Sequence, residues 1–283
     1  MSDTRGGTGL RTPPDRRRTT SAGTRIARGA RLVLHLMRGV LITAVVFPFA
    51  AARTRSRHVE RWSRRLLATL HVRLHVEGER PDAHARPALI VANHVSWLDI
   101  FLLDAVAHVR FVGKSEIRYW PVIGWLSTRA GTMYIERSRR RDTGRINRLV
   151  AAALERRELC AVFPEGTTTI GDEVLPFHAS LLQPAVVAGA DVVPVAIRFA
   201  RTDGSLCEEA AYDGDKSLLD TMRLMLTQPR IEATLRFLPP IHAAGRSRRD
   251  VAEEAARAIS LALGLPPPRT LPGTAGGPPA APH

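Results

Sequence analysis

The chain has 283 residues, 45% of them apolar, and a formal net charge of +14 at pH 7. That length suits one substantial α/β domain plus tails, or at most two small domains, and the apolar fraction suffices for a packed core, which excludes a wholly disordered chain. The two cysteines, Cys160 and Cys207, exclude a disulfide framework and a cysteine-based metal cluster, while the basic balance favours anionic partners: nucleic acid, anionic lipid head groups or phosphorylated substrates.

Nearly all the positive charge is arginine; Lys114 and Lys216 are the only lysines. Residues 1–25 are rich in Gly, Thr, Pro and Arg, lack apolar periodicity and predict a disordered basic tail. Residues 26–70 predict membrane-associated helices. The weakly polar run Gly39–Ala52 has 14 residues. As a helix it reaches roughly 21 Å, short of a hydrocarbon core of about 30 Å. Extending it back to Leu32 takes in His35 and Arg38, and an arginine at mid-bilayer costs about 2.5–3.5 kcal/mol. Pro48 disfavours a straight helix. Arg25, Arg28 and Arg31 precede the run, and Arg53, Arg55 and Arg57 follow it. Basic flanks at both ends argue against a single crossing. The reading is an interfacial or partly inserted helix with both ends on the cytoplasmic face of the cell membrane, peripheral or monotopic. A buried core helix is the alternative. The run starts late and lacks a convincing cleavage site, so it does not read as a signal peptide. Arg61–Leu70 continues as a second amphipathic helix, with Trp62, Leu66, Leu67 and Leu70 on one stripe.

Residues 71–264 form the remaining domain, in which the period changes. Val72, Leu74 and Val76 alternate with polar residues up to Gly78, a strand pattern. His71 and His75 are spaced as helix metal ligands would be, but the alternation puts them on the polar face of a strand. Strands follow at Ala88–Ala92, Val109–Gly113, Thr132–Ile135, Leu159–Phe163, Val192–Phe199 and Ile231–Leu238. Helices intervene at Ser96–Ala107, Trp120–Thr128, Arg145–Arg156, Ala179–Ala188 and Leu218–Leu226. Ser247–Leu263 closes as a helix, with Ser247 to cap it and Gly264 to stop it. Cys160, inside an apolar strand, reads as a small core residue. Residues 265–283, mostly Pro, Gly and Ala, predict a second disordered tail. Alternating strands and helices imply an α/β fold: a mixed, largely parallel sheet covered by helices, preceded by the helical pair.

Asn93-His94-Val95-Ser96-Trp97-Leu98-Asp99 lies where the strand Ala88–Ala92 gives way to a helix. Strand carboxyl ends are where ligands bind in open α/β sheets. Ser96 and Asp99 make a capping-box-like S-x-x-D start, so capping alone accounts for Asp99 as well as a role beside His94 does. An aspartate accepting the imidazole N–H fixes the tautomer and stabilises the imidazolium. The chain has no G-x-S-x-G elbow, and Ser180 sits in an ordinary helical setting. A His–Asp pair without a nucleophile suggests attack by a substrate hydroxyl that His94 deprotonates. Phe163-Pro164-Glu165-Gly166-Thr167 is a second polar turn after an apolar strand. Turn chemistry alone explains it, but two such turns suit a shared site. Lys114 and Arg137 also follow strands, and each reads as a phosphate ligand or a solvated charge. Arg137, Arg139, Arg140 and Arg141 could together face anionic lipid.

The ordered blocks Asn93–Asp99, Lys114–Glu116, Gly131–Arg137, Phe163–Thr167 and Val193-Pro194-Val195 resemble the successive motifs of the glycerolipid acyltransferase family, from Val72 to Pro240. The resemblance implies transfer of a fatty acyl group from acyl-CoA or acyl carrier protein to a lysolipid hydroxyl. It implies His94 as base, Asp99 as its partner, and Lys114, Arg137, Glu165, Gly166 and Thr167 as acceptor ligands. It also implies an N-terminal helical pair on an anionic membrane surface. No metal or bound cofactor is called for, and no nucleic acid is expected. The first acceptor it suggests is 1-acyl-sn-glycerol-3-phosphate, giving phosphatidic acid. Many family members carry arginine after Glu-Gly-Thr, where this chain has Thr168 and then Thr169. The stretch is similar to relatives that acylate lyso-ornithine lipids or other lysophospholipids. Two other readings are a basic nucleic-acid or anionic-surface binding protein, and a hydrolase that uses the same pair on water.

Overall fold

Ala88–Ala92 has no polar residue to present to solvent, so it can only be covered on both sides. In the computed structural model, which describes residues 19–82, 85–136, 140–214 and 216–269, it is strand β2 and all five residues are buried. β1 (Val72–Glu77), β3 (Arg110–Lys114), β4 (Met133–Ile135), β5 (Cys160–Val162), β6 (Asp191–Ala200), β7 (Ile231–Phe237) and β8 (Ile241–His242) complete the sheet. Their order is β1-β7-β6-β2-β5-β3-β4, with β8 beside β6. The pairs β1–β7, β2–β6, β2–β5, β3–β5 and β3–β4 are parallel. β6 runs antiparallel to β7 and β8. The sheet is therefore mixed and largely parallel, as the alternation of elements predicts.

The helices are α1 (Ala22–Val45), α2 (Ala52–Thr69), α3 (Leu98–Val106), α4 (Ile123–Arg129), α5 (Arg140–Glu155), α6 (Gln183–Ala188), α7 (Leu218–Thr227) and α8 (Arg248–Leu263). The strand period of two divides the core. Ala88, Ile90 and Ala92 join a cluster with Leu66 and Leu67 of α2, Leu102 of α3 and Met225 of α7. Leu89 and Val91 join one with Ile146 and Val150 of α5 and Val251, Ala255 and Ile259 of α8. Cys160 and Cys207 are both fully buried, and burial pushes each thiol up to about 12.

α1 begins at Ala22 rather than after Arg25. The Ser21 hydroxyl caps it by accepting from Thr24 N at 3.2 Å. The Thr20 amide donates to Thr227 O at 2.9 Å. The Arg28 guanidinium donates to Gln228 O at 2.7 Å and Pro229 O at 3.2 Å. These ties fix the head of α1 to the end of α7, and composition carries no signal for them. α2 starts at Ala52, well before the expected Arg61. The expected helix Trp120–Thr128 begins only at Ile123, after Pro121, as α4, and a 3₁₀ turn, Ser115–Tyr119, precedes it. Ala179–Ala188 divides in two, with Pro184 in the first turn of α6. His71 is not on a strand face: it takes φ 57° in the turn before β1. His75 is on β1, with Nε2 at 2.7 Å from Glu232 Oε2. β8 has two residues, too few for any alternation to register. Among the described residues no helix is long and apolar enough to cross a membrane. Residues 1–18 and 270–283, Arg137 and Arg139 lie outside the described residues, as do the side chains of Arg140 and Arg141.

Candidate active site

β2 ends at Ala92, and the next side chain continues its ladder. Asn93 Nδ2 donates to Ile197 O at 3.0 Å, and Asn93 Oδ1 accepts from Ile197 N at 2.8 Å. This buried amide closes both hydrogen bonds of a β6 residue and pins the chain where it leaves the sheet. His94 follows at the carboxyl edge. Its amide donates to Glu165 Oε2 at 2.7 Å and its carbonyl accepts from Thr169 N at 2.9 Å. The two polar turns recognised in the sequence are thus joined through backbone.

His94 Nδ1 lies 2.8 Å from Asp99 Oδ2, and that oxygen also accepts the amides of Val95 at 2.8 Å and Ser96 at 2.9 Å. An oxygen that already takes two N–H donors takes the ring as a third, so Nδ1 carries the proton and Nε2 keeps a lone pair. Asp99 is fully buried, whereas the His94 side chain is 22% exposed. The capping and pairing readings of Asp99 hold together. It closes the first turn of α3 through Ser96 N, and the Ser96 hydroxyl accepts from Leu98 N at 3.3 Å. Phe163 stacks on the imidazole with centroids 4.1 Å apart and planes 13° apart, and Phe111 stacks behind it at 6.1 Å.

Glu165 is 4% exposed, and both its oxygens are engaged: Oε2 with His94 N and Oε1 with Leu175 N at 2.9 Å. Burial pushes its carboxyl up to about 8, against the pull of the two amides. Its carboxylate points inward. Gly166, with φ 80°, and Thr167 face the cavity instead. Only glycine adopts that φ without strain, which explains the Glu-Gly order in the turn. The Thr168 hydroxyl donates to Tyr212 O. Lys114 stands at the cavity rim, 60% exposed and 3.5 Å from Glu116. The structure brings together His94, Asp99, Glu165, Gly166, Thr167 and Lys114; Arg137 lies outside the described residues.

The cavity has a volume of about 510 Å³ and a mostly apolar wall. It extends from His94 to the seam of α1 and α2, past Trp97, Phe101, Leu66, Trp62 and Leu36. Gly39 lets Trp62 lie against α1, since a Cβ there would meet Trp62 Nε1 at 2.6 Å. Asn93 and Phe163 open the two motif blocks but carry no role in the sequence reading, and Tyr212 and Gly39 carry none either. For Asn93 and Phe163 the position next to a motif residue was the available signal; Gly39 and Tyr212 act through contacts distant in sequence.

A His–Asp pair on the carboxyl edge of an α/β sheet, opening on a long apolar cavity, fits an enzyme that handles an acyl chain. Residues 73–198 match the family model for Acyltransferase. The lyso-ornithine lipid O-acyltransferase of Pseudomonas aeruginosa is 41% identical over 209 residues, 74% of this chain and 79% of that one. The 1-acyl-sn-glycerol-3-phosphate acyltransferase of Neisseria meningitidis is 37% identical over 210 residues, 73% of this chain and 82% of that one. The solved 1-acyl-sn-glycerophosphate acyltransferase PlsC of Thermotoga maritima superposes with a TM-score of 0.61, covering 85% of this chain and 96% of that one. At 22% identity, that likeness is one of fold. The chain belongs to the acyltransferase family and is an enzyme.

Proposed function

We propose that the protein moves a fatty acyl group from acyl-CoA or acyl carrier protein to the free hydroxyl of a lysolipid, with His94 as the base and Asp99 as its partner. The observation that carries this reading is the His94–Asp99 pair, 2.8 Å apart, at the mouth of the apolar cavity. Nε2 takes the proton of the acceptor hydroxyl as its oxygen attacks the thioester carbonyl. The tetrahedral adduct then collapses, the C–S bond breaks, and the departing thiolate takes the proton from the imidazolium. Asp99 holds the tautomer and stabilises the imidazolium. The acyl chain lies in the cavity toward α1 and α2. Gly166, Thr167 and Lys114 line the acceptor end, while Glu165 holds the His94 backbone.

The acceptor we favour is a lyso-ornithine lipid. The Thr168 hydroxyl is committed to Tyr212 O, so that position offers no cation to a phosphomonoester. The Pseudomonas aeruginosa relative supports the same choice. A second reading, 1-acyl-sn-glycerol-3-phosphate giving phosphatidic acid, is favoured by exposed Lys114 at the rim and by the Neisseria meningitidis relative. The enzyme reaches these lipids from the cytoplasmic face of the cell membrane. Ile26, Val33, Leu34, Met37, Leu41, Val45 and Phe49 of α1 and its following turn are exposed, a row that suits an interfacial helix.

Thiol release from acyl-CoA and from acyl carrier protein, with each acceptor offered in parallel, tests the reading. Transfer is expected with one donor and is lost in His94→Ala. Wild-type turnover in that variant, or release of free fatty acid without an acceptor, would overturn it.

A further inference from the structure

On the far side of the α1–α2 seam from the cavity is an open groove of about 430 Å³, lined by Arg31, Leu34, Arg38, Arg65 and His71 among others. Three helical arginines converge there from two helices. Among the described residues none has an ion-pair partner; Glu60 of α2 is 3.8 Å from Arg64 and Asp104 is 3.2 Å from His108. His35 forms the floor. It is buried, stacks on Trp62 at 4.6 Å, and its Nε2 lies 3.1 Å from Trp62 O. Both histidines feel the surplus of charge. Burial first, then Arg28 and Arg31, hold the His71 imidazole below its usual range. Burial, then Arg65 and Arg38, do the same for His35, partly offset by its bond to Trp62 O. A groove lined by three arginines without ion-pair partners has the chemistry to hold an anion.

We propose that this groove binds the phosphate of an anionic membrane phospholipid, at a site separate from the one that holds the substrates. Its apolar continuation identifies the source. Leu34 lines the groove at 68% exposure, and Leu41 and Val45, on the same helical face at i+7 and i+11, are 62% and 57% exposed. A head-group phosphate clamped by Arg31, Arg38 and Arg65 lays its acyl chain along that row, and a free phosphate ion has nothing to place there. Guanidinium groups suit the task because their donors meet two phosphate oxygens at once. The inference rests on the proposed membrane association, and it adds head-group selectivity to it.

The test uses the full chain and co-sedimentation with vesicles of phosphatidylcholine alone or with phosphatidylglycerol. The wild type should bind phosphatidylglycerol vesicles more tightly. Each of Arg31→Gln, Arg38→Gln and Arg65→Gln should reduce that binding about fivefold, the worth of one arginine near an anionic surface. Binding to phosphatidylcholine should stay unchanged. Arg53→Gln/Arg57→Gln/Arg61→Gln, which removes the same charge from exposed α2 positions, is the control and should cost far less. Equal losses in this control and in the combined Arg31→Gln/Arg38→Gln/Arg65→Gln variant would mean diffuse attraction and overturn the site. Binding to both vesicle types without preference would overturn the site and leave the membrane reading standing. No binding to either would overturn both. Titration with inorganic phosphate in detergent separates the sources, and micromolar binding of the free ion would overturn the lipid assignment. Unchanged circular dichroism melting establishes that the variants fold.

Discussion

The amide of His94 donates to Glu165 Oε2 at 2.7 Å, across 71 residues of sequence. A carboxylate in a conspicuous motif therefore serves the backbone of another motif. Replacing it with alanine strands two part-buried N–H groups, those of His94 and Leu175. Each stranded group costs about 1–3 kcal/mol. Glu165→Ala should thus lower stability by roughly 2–6 kcal/mol and kcat by more than its effect on the acceptor KM. A variant with unchanged melting and only a raised acceptor KM would make Glu165 a substrate ligand instead.

The same burial gives a pH signature. Glu165 titrates at about 8 when folded, against an ordinary 4.5. Between those values the folded state holds a proton that the unfolded state has lost. Stability contributed by this group is therefore present below the unfolded value and falls as pH rises toward the folded one. Denaturant unfolding followed from pH 5 to 8 should show wild-type stability falling relative to Glu165→Gln. Parallel curves for the two proteins would contradict the prediction.

His94→Ala removes the proposed base while leaving the Asp99 contacts to Val95 N and Ser96 N in place. General-base catalysis contributes about 10²–10⁴-fold, and kcat should fall by that factor with a native melting curve. Asp99→Asn should lower kcat by a comparable factor, because an amide that donates to Nδ1 reverses the tautomer. Single-turnover thiol release reads both.

Thr168→Arg breaks the bond to Tyr212 O and places a guanidinium beside Thr167. The ratio of kcat/KM for 1-acyl-sn-glycerol-3-phosphate over a lyso-ornithine lipid should rise by about tenfold or more, the scale of one charge-assisted contact. An unchanged ratio would move acceptor selection away from this turn.

Gly39→Ala sets a methyl group 2.6 Å from Trp62 Nε1, so the indole must shift where it lines the cavity. The donor optimum should move toward shorter acyl chains, as read from initial rates across a chain-length series. An unaltered optimum would place the chain elsewhere.

Most of this architecture was legible because it is written in local periods. β2 and the caps of α8 at Ser247 and Gly264 stand where pattern and capping rules put them. His94 and Asp99 were legible because five residues across a helix start are close in any such turn. The parts that escaped depend on contacts distant in sequence. Arg28 reads as one arginine among many until Gln228 O is beside it. Glu165 reads as an outward-facing ligand until His94 N and Leu175 N take both its oxygens. The basic composition of α2 also hid its early start, since arginine-rich turns carry little apolar contrast.

The two cysteines have a practical consequence. Cys160 and Cys207 are fully buried, and burial pushes each thiol up to about 12, so neither offers thiolate at neutral pH. Native protein should stay silent toward an aromatic disulfide reagent. With either proposed thioester donor, the thiol freed at each turnover can then be followed continuously by absorbance. A slow rise in colour without substrate would report unfolding, so one cuvette would measure both turnover and the integrity of the fold.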